Sequence, residues 1–184
     1  MPFQFSIILA ASIVWMLPFF LRRRGPRTAV KRDPRARWGI LIQSAAYALI
    51  WQGSFWTRSP APWRVALAVP LFALACLLSW TAVRALGRQW RFDAGVNEDH
   101  ELVRSGPYRF VRHPIYTSII CLFLGTGLLV ARWPLLLVSF VLLIVGTQIR
   151  VRTEDRLLES HFGEALREYR REVPAYIPLL KRRP

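Results

Sequence analysis

Five apolar runs divide the chain, and its charged residues gather in the gaps between them. The runs are Pro2–Leu21, Trp38–Trp56, Val65–Val83, Ile115–Ala131 and Trp133–Ile149. Each has 17 to 20 residues, near the ~20 that a helix needs to cross a bilayer core. The last two are short, since 17 residues at ~1.5 Å per residue reach only about 25 Å. Such helices thin the bilayer locally or lean on neighbours. The pattern predicts an all-α, polytopic integral membrane protein of about five transmembrane helices.

Beyond run five the period changes. Val151, Leu158, Phe162, Ala165, Leu166, Tyr169 and Val173 follow helical spacing. Arg156, Glu164, Arg167, Arg170 and Arg171 fill the rest of the wheel, which predicts a C-terminal cytosolic amphipathic helix. Pro174 and Pro178 end it, and Gly163 inside it would serve close packing. Glu154 and Asp155 open this helix and point toward its buried side. Acids in a first helical turn also favour the helix dipole, and Arg150 or Arg152 could pair with them.

Local signals refine the runs. Arg132-Trp133-Pro134 leaves a tight turn between runs four and five, so these form an antiparallel hairpin. Trp38, Trp56, Trp63 and Trp133 mark run edges, as indole rings do at the headgroup level. Pro18 and Pro70 fall inside runs one and three. Gly125 and Gly127 suit close helix approach. The stretch Arg22–Arg37 reads as an irregular basic loop. Residues 1–83 form an N-terminal membrane region, and residues 84–184 a second region that carries the motifs.

Charge sets the orientation. Segments Arg22–Arg37, Arg84–Pro114 and Arg150–Pro184 hold 23 Lys/Arg, whereas the opposite connections hold Arg58, Arg64 and Arg132. By the positive-inside rule the N-terminus lies outside and the C-terminus in the cytosol. All 11 acidic residues fall on the same cytosolic side. The net charge of +15 therefore belongs to topology and to anionic lipid, because no soluble basic platform for nucleic acid is visible. Run one has no basic residue before it and RRR after it, so it reads as a retained anchor. Cys76 and Cys121 lie inside apolar runs and support neither a disulfide framework nor a metal site.

The cytosolic rim carries the chemistry. The stretch Gly106–Tyr116 reads GPYRFVRHPIY and ends where run four begins. Around it stand Asp93, Glu98, Asp99, His100, Glu101 and Arg104, and after run five Arg150, Arg152, Glu154 and Asp155. The hairpin returns residues near 113 and near 150 to one depth, so the two sets should meet. No G-x-S-x-G elbow, metal-ligand spacing or Rossmann fingerprint is present. Ionisable groups inside the runs, which a transporter would need, are nearly absent. What remains is a polar pocket under an apolar roof, suited to a lipidic substrate and a polar cosubstrate. Blander roles remain open: His113 as a helix cap, Tyr108 and Tyr116 as interfacial belt residues, Arg109 as a lipid-facing charge and His161 as structural.

His100-Glu101-Leu102-Val103, GPYRFVRHPIY, the hairpin after it and EDRLLESHFGEALREYRREVPAYIP together resemble the isoprenylcysteine carboxyl methyltransferase family. The wider group includes phospholipid N-methyltransferases, and the match covers about residues 84–180. The resemblance implies S-adenosylmethionine as methyl donor, bound on the cytosolic side. It places His100, Tyr108, Arg112, His113, Pro114, Tyr116 and Glu154 at the cofactor pocket, with Asp155 completing the acidic pair and Arg150 as the preceding base. Asp155 stands where glutamate is usual, and Ser118 where a glycine often follows the tyrosine. Arg150 or Arg112 could hold an acceptor carboxylate; an amine acceptor would need a base, with Asp155 or Glu154 as the suspects.

The expected function is methylation of a lipophilic or prenylated acceptor that enters from the bilayer, most simply carboxyl O-methylation of an isoprenylcysteine-like group. Alternatives are a phospholipid or other amine N-methyltransferase, an NADPH-dependent sterol-reductase-like oxidoreductase, and a non-catalytic protein with an eroded pocket. Compact size suggests a prokaryotic inner membrane.

Overall fold

The computed structural model describes residues 3–21, 31–52, 59–90, 95–96 and 101–177. Six α-helices occur among them: α1 (Phe3–Leu21), α2 (Ala36–Ile50), α3 (Pro62–Leu86), α4 (Pro114–Val130), α5 (Trp133–Phe162) and α6 (Glu164–Glu172). A two-residue antiparallel pair, β1 (Lys31–Arg32) with β2 (Gly95–Val96), ties the stretch before α2 to the one after α3. Of the basic loop, residues 22–30 lie outside the described residues, as do Trp56 and His100.

Helices α1, α3 and α5 are long and apolar enough to cross a membrane, and α4 is a shorter apolar helix of 17 residues. These are the features of a membrane protein. Leu9, Leu77 and Val141 are each about 60% exposed, a cost in water but none against lipid tails. Helix α4 behaves differently. It is apolar all round, and both Phe123 and Ser118 are fully buried, so protein rather than lipid surrounds it. Its main neighbour is α3, while α5 packs chiefly on α2.

Glycine permits both of these packings. A Cβ on Gly125 would lie 2.7 Å from the Phe72 ring of α3, so this glycine serves close packing, as its position suggested; one on Gly127 would meet the flexible end of Leu136 in α5. The α2–α5 crossing is tighter. A Cβ on Gly39 would stand 2.7 Å from the Gly146 carbonyl oxygen and 2.4 Å from Arg150 Cγ. Gln43 Nε2 donates to Thr147 Oγ1 across the same interface at 2.9 Å, a buried polar contact suited to an apolar medium. At the opposite end Trp63 stacks on Trp133 at 5.9 Å. Arg64 lies over both rings and donates to the Ala131 carbonyl at 2.9 Å.

Two local expectations need correction. Glu154 and Asp155 do not open a helix, because α5 continues without a break from Trp133 to Phe162. Nothing between Pro134 and Gly163 stops it, and a change from apolar to charged composition does not end a helix. At about 1.5 Å per residue, its 30 residues outreach a ~30 Å hydrocarbon core and carry the acidic pair past the membrane face. Gly163, expected to pack closely, instead breaks the helix: its φ is +52° and nothing lies within 4 Å of its Cβ position. The break resets the helical phase, so α6 buries Leu166 and Tyr169 while Ala165 is exposed.

Candidate active site

The site begins with a turn. Gly106 has φ +61°, a conformation open to glycine at little cost, and it starts the 3-10 turn Gly106–Arg109 that buries Pro107 and Tyr108. The chain then extends through Arg112 and His113 to Pro114, which is fully buried in the first turn of α4. Proline suits that position because its missing N–H would have no helical partner there. His113 is the residue before the helix, yet its side chain makes no capping bond. Its ring points to α5 instead.

Arg112 Nη1 spans both oxygens of Asp155 at 3.0 Å. His113 Nε2 meets Asp155 Oδ1 at 2.9 Å, and its Nδ1 lies 3.5 Å from Glu154 Oε2. The Tyr116 hydroxyl donates to Glu154 Oε1. Arg150, one turn before Glu154, approaches the same oxygen at 3.9 Å and places its guanidinium 5.1 Å from the Tyr116 ring centroid. Six of the residues singled out from sequence thus form one continuous network, joining stretches 38 to 43 positions apart.

Backbone groups from the C-terminal stretch close it. Arg112 Nε donates to the Val173 carbonyl at 2.9 Å, Arg112 N to Pro174 O at 2.9 Å and His113 N to Ala175 O at 2.8 Å. Thr117 Oγ1 donates to Tyr176 O at 2.7 Å. Sequence reasoning missed this strap, because carbonyl acceptors leave no residue signature. It also missed Tyr169, whose hydroxyl donates to the Tyr108 carbonyl, and Arg170, which approaches Asp155 at 3.8 Å.

The electrostatics follow from this geometry. Burial alone would lower the His113 pKa, but hydrogen bonds and charge from Asp155 and Glu154 outweigh it and raise it to about 9. Burial would raise Asp155, yet His113 and Arg112 hold its carboxyl down at about 2. Glu154 is likewise kept below its ordinary value against burial, by His113, Arg150 and Tyr116. At neutral pH the imidazole is therefore a cation between two carboxylates.

These contacts decide several open roles. Tyr108 and Tyr116 are only 7% and 4% exposed, so neither is an interfacial belt residue. Arg112 already uses Nη1 and Nε internally, and Asp155 is held by three cations, Arg112, His113 and Arg170. Arg150 differs, because its Nε is buried without a hydrogen-bond partner. Glu154 keeps 26% of its side chain exposed, the more accessible of the two acids. Ser118 and Asp155, the departures from the expected motif, both have defined work. Ser118 accepts a hydrogen bond from Trp15 Nε1 at 2.9 Å and so fastens α1 to α4.

Comparison with known proteins gives the class of this helical membrane protein. A family model described as phospholipid methyltransferase matches residues 63–165. The chain belongs to that family, and the expected resemblance to isoprenylcysteine methyltransferases is borne out. Protein-S-isoprenylcysteine O-methyltransferase of Schizosaccharomyces pombe is 42% identical over 85 residues, 46% of this chain and 36% of the relative. The cobalt-zinc-cadmium resistance protein CzcN of Cupriavidus metallidurans is 30% identical over 151 residues, covering 78% of this chain and 62% of the relative. The human protein-S-isoprenylcysteine O-methyltransferase is 34% identical over 87 residues, 46% of this chain and 30% of the relative. In each case the chain spans less than two thirds of the relative's length.

Proposed function

We propose that the chain is a membrane-embedded methyltransferase that uses S-adenosylmethionine to methylate the carboxylate of a lipophilic, isoprenylcysteine-like acceptor at the cytosolic face. The observation that carries this reading is the network joining Arg112, His113 and Tyr116 to Arg150, Glu154 and Asp155. The residues fit the charges of donor and acceptor. Glu154, ionised and partly exposed beside the Tyr116 ring, suits a cationic group. Arg150, with its orphan Nε, suits a carboxylate.

When bound, the donor would supply an electrophilic methyl on a sulfonium, released to the acceptor oxygen with a neutral thioether left behind. A carboxylate acceptor is already ionised and needs no base. The protein's part is then alignment and exclusion of water. Glu154 and Tyr116 hold the donor, Arg150 orients the acceptor carboxylate, and Arg112 with Asp155 and His113 act as positioning residues that fix the motif against α5 and the strap.

Amine methylation is the second reading, favoured by the exposure of Glu154, which could take a proton from the acceptor. Tritiated methyl transfer from S-adenosylmethionine to a farnesylated N-acetylcysteine and to phosphatidylethanolamine separates the two. Label in the base-labile ester supports the carboxylate reading. Label only in the amine lipid replaces it, and label in neither sinks both.

A further inference from the structure

The strongest feature beyond the Arg150–Glu154 centre lies on another side of α5. A cavity of about 480 Å³ opens between α5 and the strap, bounded by Gln148, Val151 and Arg152 on one wall and by Pro174–Ile177 on the other, with Arg112, Asp155 and Arg170 at its end. That volume lies within the ~300–1,000 Å³ usual for small-ligand sites. Neither Arg150, Glu154 nor Tyr116 borders it. At 3.6 residues per turn, Arg152 sits about 160° around the helix from Glu154.

Its charge is unbalanced. Among the described residues Asp155 is the only carboxylate at the cavity, and Arg112 and His113 already neutralise it at 3.0 and 2.9 Å. Arg170 is shared with Glu159 at 3.0 Å. Arg152, exposed at the mouth, makes no hydrogen bond or ion pair among the described residues. The Gln148 side-chain Oε1 accepts from the Tyr176 hydroxyl at 2.9 Å, which leaves its Nε2 hydrogens free to donate. Gln148 belongs to the last turn of the apolar run, so the cavity begins at the membrane surface, and Val151 and Ile177 give it an apolar flank.

We propose that this cavity is a second ligand site, separate from the Arg150–Glu154 centre, which binds a phosphate group at the membrane surface through Arg152 and the Gln148 amide. The apolar flank and the depth of Gln148 point to the headgroup of an anionic lipid as its source. This site does not depend on the methyltransferase reading.

The test uses the full chain in detergent, examined by native mass spectrometry during titration with phosphatidylglycerol or with phosphatidylcholine of the same acyl chains. One phosphatidylglycerol should be retained per chain with about fivefold preference, and Arg152→Gln should bring the two lipids to parity. Equal retention of both lipids by the unmodified chain, or an unchanged preference in Arg152→Gln, overturns the proposal. Millimolar inorganic phosphate that displaces the lipid assigns the site to free phosphate; failure to displace assigns it to the headgroup. S-adenosylhomocysteine binding, measured on the same samples, should survive Arg152→Gln. Its loss would show that the cavity and the Arg150–Glu154 centre are one site and would also overturn the proposal.

Discussion

Replacing Asp155 with asparagine keeps the shape of the side chain and removes its charge. Arg112 and Asp155 are 10% and 9% exposed and meet at 3.0 Å, so the guanidinium would be left buried without a counterion. Arginine cannot shed its proton. Breaking a buried pair from one side costs about 3–5 kcal/mol. Linkage gives a second figure: the carboxyl falls from its ordinary 3.8 to about 2, and at ~1.4 kcal/mol per unit this is roughly 2–3 kcal/mol. Both describe the same contacts and are not added, so the variant should lose about 3 kcal/mol at pH 7.

The pH profile carries the sign. Asp155 has a depressed pKa, so its contribution is present above about 3.8 and is lost as pH falls through about 2. His113 is raised, so its contribution is full below about 6.5 and is lost as pH rises through about 9. Asparagine at 155 should weaken the acid limb and move the alkaline limb below 9, because His113 then keeps only Glu154. Denaturant titration in mixed micelles, followed by tryptophan fluorescence across pH, reads both effects. A loss under ~1 kcal/mol together with an unmoved alkaline limb would refute the coupling.

Gly39→Ala should destabilise by about 1–3 kcal/mol, because its Cβ meets the Gly146 carbonyl, which cannot move unless the helices part. The same titration checks it, and a neutral result would mean that α2 and α5 are not in close contact. Trp15→Phe should lose about 1 kcal/mol by removing the bond to Ser118, with methyl transfer little changed, as compared by initial rates. Arg150→Lys should raise KM for a carboxylate acceptor at least tenfold while leaving S-adenosylhomocysteine affinity within a few fold, because an ammonium cannot reproduce the planar fork. An unchanged KM would remove Arg150 from the acceptor.

Much of this site could be read from the chain before its fold was known, for a definable reason. A two-residue link between two apolar runs forces residues near 113 and near 150 to the same end, so the meeting of His113 with Asp155 followed from topology. Helix positions followed in part from composition: α4 starts one residue before the run expected from Ile115, whereas α2 ends at Ile50, short of the membrane-length run expected to Trp56. What escaped had no local signal. The drop in hydropathy after Ile149 looked like the end of a helix, although it marks only a change of solvent along one uninterrupted α5. Gly39 and Gly146 sit 107 positions apart, and neither is distinguishable from any other glycine in an apolar helix. The strap acts through the carbonyls of Val173, Pro174 and Ala175, which every residue type possesses. Gly163 was read for its size, whereas its use lies in a positive φ that sequence periodicity does not reveal.

Calorimetric titration of S-adenosylhomocysteine into the purified chain and into Glu154→Gln tests the central claim most directly. Saturable binding in the unmodified protein, weakened at least tenfold by a substitution that removes one charge and little volume, is the predicted result. Absence of heat at saturating ligand, or equal affinity in both proteins, would contradict it.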